Sequence, residues 1–210
     1  MNIEDRESRN ARLKEQWKAE RIAKLKKLSK FNNTRYEDAS LSHIDFDECD
    51  SQLLSEWIYN PKDILYIYSP PGVGKTYFCS ALFNHFCEKG IYIVFYKEKD
   101  FFADLHQEMT EHRSVDFRLK SISEYDFLMF DDLGSTRSGS DGLNLTDWQK
   151  DQLFSLVDYR VDRKMPTIIT SNYSPDELKS VFHERFISRI KSKDNTIIEL
   201  KGNDKRKGTK

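Results

Sequence analysis

The chain has 210 residues, enough for one α/β domain with a sizeable core and an appendage, and its formal net charge is −1. This value is the sum of two basic ends and an acidic body: residues 1–30 contribute +5, residues 201–210 contribute +4 and residues 31–200 contribute −10. No apolar stretch is long enough to cross a bilayer and the N-terminus lacks the apolar core of a secretory signal, so we expect a cytoplasmic protein that binds no membrane.

The cysteines and histidines show no spacing typical of a metal site. Cys49, Cys79 and Cys87 form no C-x-x-C pair, and their odd number argues against a disulfide framework. The five histidines are scattered along the chain. We therefore predict buried or idle thiols, and no metal ion other than Mg²⁺ bound with a nucleotide.

The N-terminal segment has the composition of a single basic helix. From residue 4 to about residue 30, Arg, Lys, Glu and Ala dominate, and the apolar side chains fall within about half of the helix circumference. Such a helix can pack on its own domain or stay solvated, or it can dock a partner or contact nucleic acid. We divide the chain into a basic helical arm at residues 1–34, a main domain at residues 35–202 and a polar tail at residues 203–210.

The first predicted strand leads into a turn rich in Pro and Gly. An acidic loop and a helix precede it; residues 64–68 are then β-branched or aromatic, and a helical pattern follows the turn. The stretch follows the phosphate-loop pattern G-x-x-x-x-G-K-[ST], except that Ser69 occupies the first Gly position. Because Ser69 precedes Pro70, we expect an extended backbone there, which does not require Gly. A chance turn is the alternative, and the strand before and helix after disfavour it.

Each residue type of this loop suits phosphate binding. The backbone N–H groups of Gly72 and Gly74 can approach a phosphate closely, and the helix that follows directs its positive end at the anion. Lys75 can reach the β- and γ-phosphate oxygens during catalysis, and the Thr76 hydroxyl can ligate Mg²⁺. The predicted nucleotide-binding residues are Pro71, Gly72, Val73, Gly74, Lys75, Thr76 and Tyr77.

The next elements alternate between helices and strands. We predict a helix at residues 77–88 that ends at Gly90, a buried strand at residues 91–96 and two short helices at about residues 101–109 and 115–123. Another apolar strand follows, and its carboxyl end is Asp131 and Asp132. We predict that Asp131 holds the Mg²⁺ and that Asp132 polarises the nucleophilic water. A surface turn without a role is the alternative.

The last third of the chain carries further polar candidates. A Gly/Ser-rich loop at residues 134–144 is either a plain connection or a contact for DNA or a partner. Thr146 is a plausible N-cap of the next helix, and Asn172 follows the strand at residues 167–170, where its amide can bond the attacking water and the γ-phosphate or simply form a turn. Arg185 and Arg189 lie four residues apart on one face of a helix, and both can also be merely solvated.

Strands that alternate with helices predict a parallel, doubly wound α/β sheet whose site lies at the carboxyl ends of its strands. Several ordered motifs within about residues 35–200 resemble the DnaC/IstB group of AAA+ ATPases, which are helicase loaders and transposition helpers. The motifs are residues 69–76 (Ser-Pro-Pro-Gly-Val-Gly-Lys-Thr), residues 127–134, Trp148, residues 158–160, residues 166–172 and residues 184–189.

The resemblance implies an AAA+ phosphate-loop fold without a C-terminal lid domain, and ATP with Mg²⁺ as cofactors. It also implies that Asn172 senses the γ-phosphate, that Arg185 completes the site of a neighbouring subunit and that Arg189 is a second sensor. Residues 97–125 would hold a helical element that lines a DNA channel. Asp132 stands where most AAA+ proteins have Glu, which implies slow hydrolysis.

Three functions fit these residues. The first is a replication protein, a slow Mg²⁺-dependent ATPase stimulated by assembly or DNA, that loads a replicative helicase onto single-stranded DNA without sequence preference. It would form an ATP-dependent homo-oligomer. The second is a transposition helper that acts on duplex DNA and recruits a transposase. The third is a small-molecule phosphate-loop kinase, which the combination of Asn172 and Arg185 disfavours.

Overall fold

A parallel sheet forms the centre of the protein. The computed structural model describes residues 3–29, 31, 34–43, 50–135 and 145–202, and the strands of these residues pair in the order β2-β3-β4-β1-β5. The strands are β1 (Ile64–Tyr68), β2 (Val94–Lys97), β3 (Leu128–Leu133), β4 (Thr167–Ser171) and β5 (Thr196–Glu199). The predicted parallel α/β sheet is thereby confirmed.

Helices cover both faces of this sheet. They are α1 (Ile3–Leu28), α2 (Ser51–Tyr59), α3 (Lys75–Glu88), α4 (Glu98–Thr110), α5 (Val115–Ser123), α6 (Asp147–Asp162) and α7 (Glu184–Ile190). Short 3-10 helices lie at Thr34–Tyr36, Leu41–His43 and Glu177–Ser180. The predicted N-cap of α6 is present, since Thr146 and Gln149 form a capping box.

Successive side chains of the central strands are buried on opposite faces. Ile64 and Tyr66 pack with α4 to α7, whereas Leu65 and Ile67 pack with α2 and α3. This alternation explains why the strands read as continuous apolar runs, because a parallel sheet covered on both faces has no polar side.

Strand β2 begins later than the sequence predicts. The apolar run starts at Ile91, but the strand starts at Val94. The N–H of Ile91 instead donates to the carbonyl of Phe86 at 3.0 Å, and Gly90 adopts φ +77°. These residues therefore close the C-terminus of α3 before the chain reaches the sheet.

The C-terminal part of α1 packs on its own domain. Ile22 and Leu25 contact the core that includes α3. Beyond the helix, the Ser29 carbonyl accepts a hydrogen bond from the N–H of Phe95 on edge strand β2 at 2.8 Å. The Phe31 ring stacks on Phe83 with 4.1 Å between centroids. Of the alternatives for this segment, packing on its own domain is thus realised at its C-terminal end.

A buried arginine joins α6 to the amino ends of two strands. Arg160 is fully buried and donates hydrogen bonds to Thr167 Oγ1 and to the carbonyls of Ser123, Tyr125 and Pro166. Burial lowers the pKa of its guanidinium to about 10. With its donors satisfied by neutral oxygens, Arg160 fixes the depth at which α6 packs against the sheet.

Two predicted segments lie outside the described residues. They are residues 136–144 of the Gly/Ser-rich loop, which include the Arg137 that the sequence offered as a contact for DNA or a partner, and the tail at residues 203–210. Within the described ranges, no helix combines the length and the apolar character that crossing a membrane requires.

Candidate nucleotide-binding site

The predicted phosphate loop connects β1 to α3. Gly72 and Gly74 adopt φ angles of +91° and +121°, which residues with a Cβ rarely adopt. Gly74 is the N-cap of α3, and no side chain occupies that position. The loop therefore leaves the backbone N–H groups at the helix start accessible to an anion.

The Lys75 side chain folds back onto the loop. Its ammonium donates to the Ser69 carbonyl at 2.7 Å, to the Ser69 hydroxyl at 3.1 Å and to the Pro70 carbonyl at 3.2 Å. The residue is only 6% exposed. The departure from Gly at position 69 thus supplies an additional neutral acceptor for the lysine, which the sequence interpretation did not anticipate.

A β-bulge brings the two carboxylates together at the end of β3. Phe130 pairs with Ile169 and Leu133 with Ser171, so two residues of β3 lie opposite Thr170 alone. The Thr170 hydroxyl donates to Oδ1 of Asp131 and accepts from the N–H of Asp132 at 3.1 Å. Asp132 adopts φ +62° and is partly exposed. The bulge therefore buries one carboxylate and turns the next one outward.

Within the described part of the chain, Asp131 is a buried carboxylate with one unsatisfied oxygen. It is fully buried, and its Oδ2 has no hydrogen-bond partner among the described residues. Burial raises the pKa of Asp131, and the charge of Asp132 raises it further. The Thr170 hydrogen bond and the positive charges of Lys97 and Lys75 act in the opposite direction. A bound Mg²⁺ would satisfy Oδ2, and a carboxylate and a hydroxyl oxygen are suitable ligands for it.

Strand β4 lies between β1 and β3 and links their carboxyl ends. The Ser171 carbonyl accepts a hydrogen bond from the Ser69 N–H at 3.3 Å. The Ser171 hydroxyl donates to the Leu133 carbonyl at 2.8 Å. Asn172 is the next residue, and it is partly exposed. Its amide makes no hydrogen bond with the part of the chain that the structure describes. The strand order therefore brings Asn172, the phosphate loop and the carboxylates to one edge of the sheet.

The two predicted arginines contact α6. Arg185 is exposed, and its guanidinium carbon lies 4.9 Å from the centroid of the Phe154 ring. Arg189 forms ion pairs with Asp158 at 2.5 Å and with Asp162 at 2.9 Å. A cavity of about 380 Å³ is lined by Phe154, Glu184, Arg185, Ser188 and Arg189. These contacts join both arginines to α6, and the roles predicted for them stay predictions.

Sequence reasoning missed several residues of the site. Thr170 looked like an ordinary strand residue, and its partner lies on another strand. Glu98 stands in a charged run, yet it is fully buried and accepts a hydrogen bond from the Gly134 N–H at 2.5 Å. Tyr77 was predicted, but its partners Ser40 and His43 were not: its hydroxyl accepts from the Ser40 N–H at 3.4 Å and lies 3.3 Å from His43 Nδ1, which ties residues 40–43 to the start of α3.

The whole chain matches one protein family. Residues 2–210 match the family described as IstB-like ATP binding protein. Among curated proteins, the replicative helicase loader DnaI of Bacillus subtilis is 30% identical over 119 residues, which cover 56% of this chain and 36% of DnaI. The chromosomal replication initiator DnaA of Campylobacter concisus is 26% identical over 133 residues, or 63% of this chain and 28% of DnaA. The matches thus span about a third of the length of these relatives.

Solved structures of replication proteins share the fold. A crystal structure of the DnaC helicase loader is 28% identical, has a TM-score of 0.66, and covers 80% of this chain and 99% of its own. DnaA bound to AMPPCP and single-stranded DNA also has a TM-score of 0.66, with 18% identity, over 83% of this chain and 52% of DnaA. The DnaA likeness shows the fold alone.

Proposed function

Because the chain belongs to the family of IstB-like ATP binding proteins, we propose that it hydrolyses ATP with Mg²⁺ at the site between β1, β3 and β4. It has the AAA+ phosphate-loop fold that the DnaC structure also has. In the proposed reaction, water attacks the γ-phosphorus of ATP and ADP leaves. The buried Oδ2 of Asp131 carries this proposal, because a buried carboxylate oxygen that accepts no hydrogen bond from the described residues suits a metal ion when it lies beside a phosphate loop.

Each residue of the site has a separate task. Lys75 moves from its acceptors in the loop to the β- and γ-phosphate oxygens. Thr76 and Asp131 would hold the Mg²⁺, which would neutralise phosphate charge. Asp132 polarises the water, and the Asn172 amide bonds the water and the γ-phosphate.

One residue of the complete site, Arg185, comes from a neighbouring subunit. Arg185 is exposed beside a cavity and rests on Phe154. An exposed guanidinium can reach the γ-phosphate held by an adjacent chain, where it stabilises the charge that develops during transfer. ATP would then link subunits, and hydrolysis would depend on assembly. Because Arg189 is paired with Asp158 and Asp162, its role as second sensor requires that it leave them.

In the cell, we propose that this ATPase acts in DNA replication and loads a replicative helicase onto single-stranded DNA. The support is the similarity to the DnaI loader and to the DnaC loader structure, whose chain is matched almost completely. The family description favours a second candidate, an IstB-like transposition helper that acts on duplex DNA with a transposase. In either case we propose residues 1–34 as the arm, residues 35–202 as the ATPase domain and residues 203–210 as a polar tail.

One experiment separates the two candidates. Fluorescence anisotropy with labelled single strands and duplexes, with and without ATP, should show sequence-tolerant, ATP-stimulated binding that falls steeply as salt rises. A loader should prefer single strands and retain the helicase in a pull-down, whereas a helper should prefer duplex and retain a transposase. Absence of DNA binding at low salt with ATP would exclude both.

A further inference from the structure

The N-terminal part of α1 is an exposed helix with both apolar and basic side chains. Every side chain from Arg12 to Arg21 is exposed, including Leu13 at 43% and Trp17 at 74%. Leu13 and Trp17 are four residues apart and share one helix face. From residue 9 to residue 27 the sequence has eight Lys or Arg residues and two Glu residues. We call Leu13, Trp17 and the adjoining Lys14 the α1 patch.

The outer face of α2 has the complementary character. Leu53 is 42% exposed and Tyr59 is 90% exposed. Glu56 lies three residues from each of them, so the three side chains share the face of α2 that points away from the buried Leu54 and Trp57. From residue 37 to residue 56 the sequence has seven Asp or Glu residues and no Lys or Arg. We call Leu53, Glu56 and Tyr59 the α2 patch.

We propose that the α1 patch of one copy of this chain docks on the α2 patch of a second copy. Exposed apolar side chains framed by charge are typical of protein interfaces, and Trp is enriched among the residues that dominate their energetics. The basic sequence of residues 9–27 has the opposite charge to the acidic sequence of residues 37–56, which favours this pairing over α1 with α1 or α2 with α2.

The two patches do not cover each other within one chain. Ile22 and Leu25 hold α1 on the core that includes α3, and in that position Trp17, Leu53 and Tyr59 all stay exposed. The contact joins two different surfaces, so each chain offers one free patch after pairing and the assembly can continue as a ring or a filament. This contact needs no nucleotide, unlike the assembly proposed through Arg185.

The test uses the nucleotide-free protein in sedimentation experiments at low and high salt. The wild type should self-associate at low salt and dissociate as salt screens the charges. Trp17 is far more exposed than Trp57, which is 5% exposed, so association should shift the tryptophan emission to shorter wavelength. Trp17→Ser, Lys14→Glu and Glu56→Lys should each weaken self-association, Trp17→Ser by about tenfold or more.

Charge reversal gives the decisive comparison. A chain that carries both Lys14→Glu and Glu56→Lys should associate more tightly than either single variant, because the two charges attract again across the interface. Phe117→Ser is the matched control, since Phe117 on α5 is 73% exposed and belongs to neither patch. It should associate like the wild type.

Four outcomes would overturn the proposal. They are a wild type that stays monomeric at low salt, a Trp17→Ser variant that associates normally, a double variant no better than the single ones, and a Phe117→Ser variant as impaired as Trp17→Ser. If Trp17→Ser binds labelled DNA less tightly while it self-associates normally, the α1 patch contacts nucleic acid instead. Circular dichroism controls for loss of α1.

Discussion

The Thr170 hydroxyl donates a hydrogen bond to the buried carboxylate of Asp131, at the point where β3 bulges against β4. The same hydroxyl accepts the N–H of Asp132 at 3.1 Å. One side chain of β4 therefore sets the position of both carboxylates.

Thr170→Val should disrupt the site while it preserves the shape of the side chain. Loss of a hydrogen bond to a buried carboxylate should lower the free energy of unfolding by about 1–3 kcal/mol. It should also weaken Mg²⁺-dependent ATP binding, because Asp131 loses its orientation. Chemical denaturation and calorimetry measure the two effects, and Thr170→Ser, which keeps the hydroxyl, should stay close to the wild type. A Val variant with normal Mg²⁺-dependent binding would contradict this role.

Lys75→Ala should weaken ATP binding and leave the fold intact. A charged hydrogen bond to phosphate contributes about 1.5–3 kcal/mol, so the dissociation constant should rise by one to two orders of magnitude. Isothermal titration calorimetry measures it. Lys89→Ala is the matched control, because Lys89 is an exposed lysine at the other end of the same helix. Equal affinity of Lys75→Ala and wild type would rule out the phosphate-loop assignment.

Without nucleotide, the Asp131→Asn variant should become more stable than the wild type as pH rises. Burial raises the pKa of Asp131, so the folded state favours the protonated carboxyl more than the unfolded state does. Wild-type stability therefore falls relative to the variant as pH rises from about 4 towards about 7, where the variant should be more stable by roughly 1–2 kcal/mol. Thermal denaturation at several pH values, with chelator present, measures the difference.

The sign should reverse when Mg²⁺ and ATP are present. The ions stabilise only a protein that binds them, so the wild type should gain stability and Asp131→Asn should gain little. If the two proteins respond equally to Mg²⁺ and ATP, Asp131 is not a metal ligand.

Arg185→Ala should bind ATP normally but lose hydrolysis and ATP-dependent assembly, because its guanidinium serves a neighbouring chain. Asp132→Asn should bind ATP and also fail to hydrolyse it. Mixing the two variants rebuilds one complete site between the intact Asp132 of one chain and the intact Arg185 of the other, so some turnover should return in a phosphate-release assay.

A matched arginine controls for this prediction. Arg163 is exposed and lies 3.7 Å from the centroid of the Tyr159 ring, as Arg185 lies over Phe154. Arg163→Ala should hydrolyse ATP like the wild type. Full activity of Arg185→Ala at high dilution, or an inactive mixture of chains that co-assemble, would show that the site is not shared.

The sequence predicted the parts of the fold and of the site that are set by residues adjacent in the chain. Alternating strands and helices gave the parallel sheet, and the Pro/Gly turn located the loop whose Gly72 and Gly74 adopt positive φ. The apolar run before Asp131 correctly placed it on a strand, although β3 continues past the predicted end at Asp132 to Leu133. These features are set by local sequence patterns, which a single chain displays directly.

Features that depend on distant residues could not be predicted. The bulge at Asp131 exists only in relation to β4, and nothing in the apolar run indicates that two residues will face Thr170 alone. Arg160 belongs to the motif at residues 158–160, but nothing near it in the sequence indicates that its guanidinium is buried and donates to the carbonyls of Ser123, Tyr125 and Pro166. The turn that closes α3 likewise uses the first residues of the apolar run, so β2 starts only at Val94.

The hydrogen bond from Phe95 to the Ser29 carbonyl affects how the arm can be removed experimentally. Strand β2 is at the edge of the sheet, and an uncovered edge strand is a template for aggregation. Deletion of residues 1–34 would expose this N–H and uncover the Phe83 ring on which Phe31 stacks. Deletion of residues 1–21 keeps this cover, so it removes the exposed half of the helix without exposing the aggregation-prone edge strand.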